Sequence, residues 1–130
     1  MTKVEHIEYW KATAEKDWGA AQVLLKKRMY PQALFFGHLV LEKLLKAHFV
    51  KDNAEDFPPK THNLVRLAAK TALEMNEDDF GFLEEMNDYQ LEGRYPDYLL
   101  SIYRTATKSV TVEVFEKIDT FRQWLLSLLP

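Results

Sequence analysis

Trp10, Ala14, Trp18, Ala21 and Leu25 recur at spacings of four, four, three and four, one apolar stripe that predicts a helix over about Val4 to Lys27. Lys11, Glu15, Lys16, Gln22 and Lys26 fall off that stripe, and the basic run Lys26-Lys27-Arg28 suits the carbonyl end of the helix. Pro31 fits the first turn of a second helix reaching about Lys51, because a missing amide donor costs nothing there. This second helix is apolar around most of its circumference, so it is expected to be central and packed on several sides. Its polar residues stand out for that reason: His38, Glu42 and Lys46 follow at i, i+4 and i+8, with Lys43 beside them.

Pro58 and Pro59 keep residues 52–60 in a loop. Thr61 is expected to cap a short third helix that contains His62, Leu64, Val65, Leu67 and Ala68. Asn76 followed by Glu77, Asp78 and Asp79 marks the start of a fourth helix, since acids favour the positive end of the helix dipole. That helix should stop before Gly93, and Arg94-Tyr95-Pro96-Asp97-Tyr98 reads as a turn or extended segment. A last helix is expected from Lys108 to Leu128, with Val112, Phe115, Ile118, Leu125 and Leu128 on its apolar stripe. The expectation is an all-α, up-and-down antiparallel bundle of about five helices in one domain spanning residues 1–130.

Composition narrows the chemistry. With only four glycines and five prolines in 130 residues, the chain lacks the regular turn signals of an all-β protein. The absence of cysteine excludes disulfides, thiolate metal sites and cysteine nucleophiles. Residues 1–10 carry Lys3, Glu5, His6 and Glu8 without an apolar core, and no stretch approaches a membrane span, so a cytoplasmic protein is expected. No Glu stands three residues before any of His6, His38, His48 or His62, so no metal or other cofactor is expected. Residues 1–51 carry a net charge of +4 and residues 52–130 one of −7, which leaves room for a local phosphate site in a chain of net charge −3.

Three polar features are candidates for function. His38, Glu42, Lys43 and Lys46 form either an internal ion-pair ladder or dimer contact, or the cationic wall of a cleft. Thr61-His62-Asn63 is either a helix cap with a structural histidine, or a set of free amides and an imidazole for an anion. Arg94 either pins its turn by pairing with Asp97 or Glu42, or is held rigid so that its guanidinium faces a phosphate.

These blocks in this order resemble a known family. Tyr9-Trp10 and Ala14-x-x-Asp17 are followed by Tyr30-x-x-Ala33-Leu34-Phe35-Phe36, Glu42-Lys43-x-x-Lys46-Ala47 and Thr61-His62-Asn63-Leu64. Asn87-Asp88-Tyr89 then leads into Arg94-Tyr95-Pro96-Asp97. From about Glu8 to Leu126 the chain resembles the small stand-alone prokaryotic form of the HEPN domain (higher eukaryotes and prokaryotes nucleotide-binding). The resemblance implies a helical bundle, a homodimer, and pairing with a separate minimal nucleotidyltransferase, in which the HEPN chain binds nucleotide or substrate or acts as the toxin of a toxin–antitoxin system. Many toxins of this family cut RNA without metal through an Arg followed four to six residues later by a His. No His follows Arg66, Arg94, Arg104 or Arg122 here, so this catalytic pattern is not met in sequence. The expected function is therefore binding of a nucleotide or RNA phosphate by Lys43, Lys46, His62 and Arg94, with His38, Glu42 and Asp97 as the supporting polar groups. The alternatives are a metal-independent RNase with a diverged site built on Arg94 and His62, and a helical dimerisation module without catalysis.

Overall fold

The computed structural model describes residues 1–130 and is helical throughout, with no strand. Its elements are α1 (Lys3–Lys26), α2 (Tyr30–Asp52), α3 (Leu64–Ala68), α4 (Glu77–Asn87), α5 (Pro96–Thr105) and α6 (Lys108–Ser127). Local chemistry sets most of the boundaries. Thr2 and Glu5 close a capping box on α1, Asn76 and Asp79 close one on α4, and the Thr107 hydroxyl accepts from the Val110 amide at the start of α6. Pro31 sits in the first turn of α2. No helix is long and apolar enough to cross a membrane.

The core is built around α2, of which fourteen of 23 residues are buried. It forms a hairpin with α1, which contributes Ala14, Trp18 and Ala21. The Trp18 ring stacks on Phe115 of α6 at 5.6 Å, and the Lys11 ammonium donates to the Pro130 carbonyl, so α6 runs antiparallel to α1. At Gly37 a side chain would meet Ile118 Cδ1 at 2.7 Å, so the missing Cβ lets α2 and α6 approach each other closely. Farther along, the fully buried His48 donates from Nε2 to the Leu125 carbonyl at 2.8 Å, a second donor beside the Leu128 amide for this carbonyl in the last turn of α6.

The structure corrects several expectations. There are six helices rather than about five, because residues 96–105 form α5 instead of a turn. Pro96 is its first helical residue and Tyr95 before it is extended, the geometry that an X-Pro pair favours at a helix start. His62 lies outside α3: Asn63, not Thr61, is the cap, its side chain accepting from the Arg66 amide at 3.2 Å. On α6 the buried set is Thr111, Val114, Phe115, Ile118, Phe121 and Leu125, whereas Val112 and Leu128 are exposed. Val112 and Val114 lie on different faces of a helix, and it is Val114 that shares one with Ile118.

Candidate functional site

His38, Glu42 and Lys46 project from one stripe of α2 toward the loop that carries His62. His38 is fully buried, and its Nε2 donates to the His62 backbone carbonyl at 3.0 Å. That bond fixes the tautomer of the neutral ring: Nδ1 is left with a bare lone pair, has no hydrogen-bond partner, and lies 3.9 Å from Glu42 Oε1. Burial holds the His38 pKa down at about 4, against the opposing pull of the Glu42 carboxylate. Glu42 is itself buried, and both its oxygens are occupied. Oε1 accepts from His62 Nδ1 at 2.8 Å, and Oε2 accepts from Lys46 Nζ at 3.0 Å. The Lys46 ammonium also sits 5.3 Å from the centre of the Trp10 ring.

This arrangement orients His62. With Nδ1–H donated to Glu42, its Nε2 is the unprotonated nitrogen of the neutral ring, on a side chain that is 54% exposed. The nearest carboxylate to Nε2 is that of Glu92, at 4.0 Å. Asn63 and Asn87 join the His62 loop to the end of α4: Asn87 donates to the Asn63 side chain at 3.1 Å and accepts from the Leu64 amide at 2.9 Å. The amides of Asn63, Leu64 and Arg66 are thus taken by Thr61, Asn87 and Asn63, and do not serve an anion.

Arg94 is linked to the His62 loop through the end of α4. Gly93 before it has a φ of 74°, a left-handed conformation that suits glycine and turns the chain back toward α4. The Arg94 guanidinium donates from Nε to the Gln90 carbonyl at 3.0 Å and from one terminal nitrogen to the Asn87 carbonyl at 3.4 Å. It lies 4.3 Å from the centre of the Tyr98 ring, and the Tyr98 hydroxyl donates to the Asp88 carbonyl at 2.6 Å. Burial raises the Tyr98 pKa, so this phenol is neutral at pH 7. Arg94 pairs with neither Asp97 nor Glu42, contrary to the turn-pinning expectation. Backbone carbonyls and an aromatic face hold it instead, and no carboxylate compensates its charge.

The expected residues therefore separate into groups. His38, Glu42, Lys46 and His62 form one connected cluster, and Arg94 is joined to it through Asn87 and Asn63. Lys43 points elsewhere, to Asp17 of α1 at 2.6 Å, and Asp97 is exposed without an ion pair. Sequence reading missed Trp10, Tyr98, Asn87 and Gln90 as the groups that surround the cluster. Asn87 was visible only as part of a motif, because its two hydrogen bonds reach residues 23 and 24 positions away.

No curated protein and no solved structure matches this chain. A family model described as HEPN domain matches residues 7–128, and that domain implies a nucleotide- or RNA-related function. With a match over nearly its whole length and an all-helical bundle to go with it, the chain belongs to the HEPN-domain family.

Proposed function

We propose that this protein binds a nucleotide or an RNA phosphate on the face formed by Arg94 and His62, as the binding subunit of a two-component, toxin–antitoxin-like pair with a minimal nucleotidyltransferase. The observation that carries this reading is the uncompensated, pre-positioned guanidinium of Arg94. Two of its five N–H groups hold it in place, which leaves donors for the oxygens of a phosphate at small entropic cost. Lys46 and Lys43 are engaged by Glu42 and Asp17, so the proposal gives them the role of shaping the helix pair beneath the site. The partner half of the reading is supported by the family resemblance.

Calorimetry with ATP, GTP and short single-stranded RNAs tests it, on the chain alone and copurified with the nucleotidyltransferase. Arg94→Ala should weaken binding by about tenfold to a hundredfold, the range of a lost charged hydrogen-bonding group. Absence of heat with every ligand in both preparations would remove the binding function.

The Glu42–His62 pair favours a second reading, a metal-independent RNase. A carboxylate that holds an imidazole by Nδ1 leaves Nε2 to take the 2′-hydroxyl proton as the 2′-oxygen attacks phosphorus and the bond to the 5′-oxygen breaks. The imidazolium returns the proton to the departing 5′-oxygen, a 2′,3′-cyclic phosphate remains, and Arg94 supplies charge for the phosphate. In that case RNA incubated with the pure protein is cut, RNA with 2′-deoxy substitution at the cut position survives, and His62→Ala abolishes cleavage. Intact RNA after prolonged incubation with the wild-type protein rejects this reading.

A further inference from the structure

Away from the Arg94 face, α4 and α6 splay apart around a groove of about 970 Å³. Its floor is aromatic. Phe82 packs on Phe121 at 5.6 Å and Phe121 on Trp124 at 5.4 Å, and Phe82 and Trp124 remain partly exposed. Its rim carries seven carboxylates and one ammonium, Lys117. The net charge of −6 there exceeds the −3 of the whole chain, so the remainder of the molecule is positive by three. Three of the carboxylates, in the first turn of α4, also complement the positive end of that helix. Glu113 and Glu116 on α6 have no comparable use: Glu113 is 4.0 Å from Lys117, and Glu116 makes no ion pair.

We propose that this groove is the docking site for a cationic amphipathic helix of another protein. Partly exposed rings in a trough between two helices gain by covering with apolar side chains, as a third helix provides. The charge decides the sign of what covers them. A segment bearing Lys and Arg along the edges of its apolar stripe is drawn to this groove, whereas a nucleic acid or an anionic membrane surface is repelled. The 11 residues of α4 span about 16 Å, enough to seat three turns of such a helix. A second copy of this chain fits less well. Beyond the Lys26-Lys27-Arg28 run, its exposed cations, among them Lys16, Lys60, Arg66, Arg104 and Lys108, are spread over several helices and loops rather than gathered along one helix face.

The test uses a fluorescent peptide of about 14 residues, an amphipathic helix of Leu and Lys, and a Lys/Ser peptide of equal charge. Anisotropy is read with the full chain at about 50 mM salt, where charge attraction is weakly screened. Saturable binding of the Leu/Lys peptide is expected, with amide shift changes centred on Phe82, Glu116 and Trp124. The double charge reversal Glu113→Lys/Glu116→Lys, at exposed positions, should weaken it by about tenfold or more. Phe82→Ser, in a variant that melts as the wild type does, should weaken it comparably, and the Lys/Ser peptide should not saturate. Equal affinity for both peptides, or shift changes centred elsewhere, overturns the proposal. So does sedimentation showing open-ended self-association of the wild type that Glu113→Lys/Glu116→Lys abolishes, because the occupant is then a second copy.

Discussion

Glu42→Ala is expected to destabilise the protein by about 3 kcal/mol, at the lower end of what breaking a buried charge pair costs. The carboxylate accepts from two donors, and removing it strands both. His62 is half-exposed and recovers water. Lys46 does not: its side chain is 12% exposed, and its ammonium keeps only the Trp10 ring. Glu42→Gln distinguishes lost shape from lost charge. The amide oxygen still accepts from one donor while the amide nitrogen faces the other, so roughly half the loss is expected. Urea unfolding reads both, as a lower midpoint at unchanged slope. A Glu42→Ala midpoint equal to the wild type would show that the cluster contributes nothing to the fold.

Acidification should act through the neighbouring histidine. In the unfolded chain the His38 ring takes up a proton near pH 6.5, whereas in the native protein burial postpones this to about pH 4. Across that window the unfolded state holds more protons, so stability falls as pH falls, by up to about 1.4 kcal/mol per pH unit and about 3 kcal/mol in total. His48 adds to the loss with the same sign, since burial lowers its pKa too. Protonated His38 would be favoured by the Glu42 carboxylate and the His62 carbonyl, but opposed by burial and by the charges of His62 and Lys46. His38→Gln keeps a donor for the His62 carbonyl and cannot titrate, so its pH profile should be flatter. Denaturant midpoints measured from pH 7 to pH 4.5 decide the matter, and a wild-type profile that is level over that range would refute it.

The helical architecture was largely legible in sequence because its signals are local. Apolar spacing marked α1, α2 and α6, a proline near its start located α2, and a capping residue located α4. The stripe His38, Glu42, Lys46 was legible for the same reason, being three positions on one helix face. The errors lie where a choice depends on partners far along the chain. α5 read as a turn because Arg94-Tyr95-Pro96-Asp97 carries turn residues, yet Pro96 opens a helix whose Ile102, with Ala106 just beyond its end, is buried in the core. The sequence places His62 inside α3, whereas in the fold it precedes that helix and its ring meets Glu42, twenty residues earlier.

Sequence by itself determined that the chain is helical, that α2 is its centre, and which polar groups on α2 require partners, because periodicity, capping and the cost of burying charge are properties of short segments. Which partners they have was decided only by the tertiary structure. Folding gave Glu42 His62 in addition to its i,i+4 neighbour Lys46, and it gave Lys43 to Asp17 and Arg94 to two carbonyls and Tyr98. It also gathered seven of the fifteen acidic residues of 52–130 around one aromatic groove. The spacing of charges along a chain does not encode these outcomes, since ion pairing and desolvation depend on distances that exist only once the helices have packed.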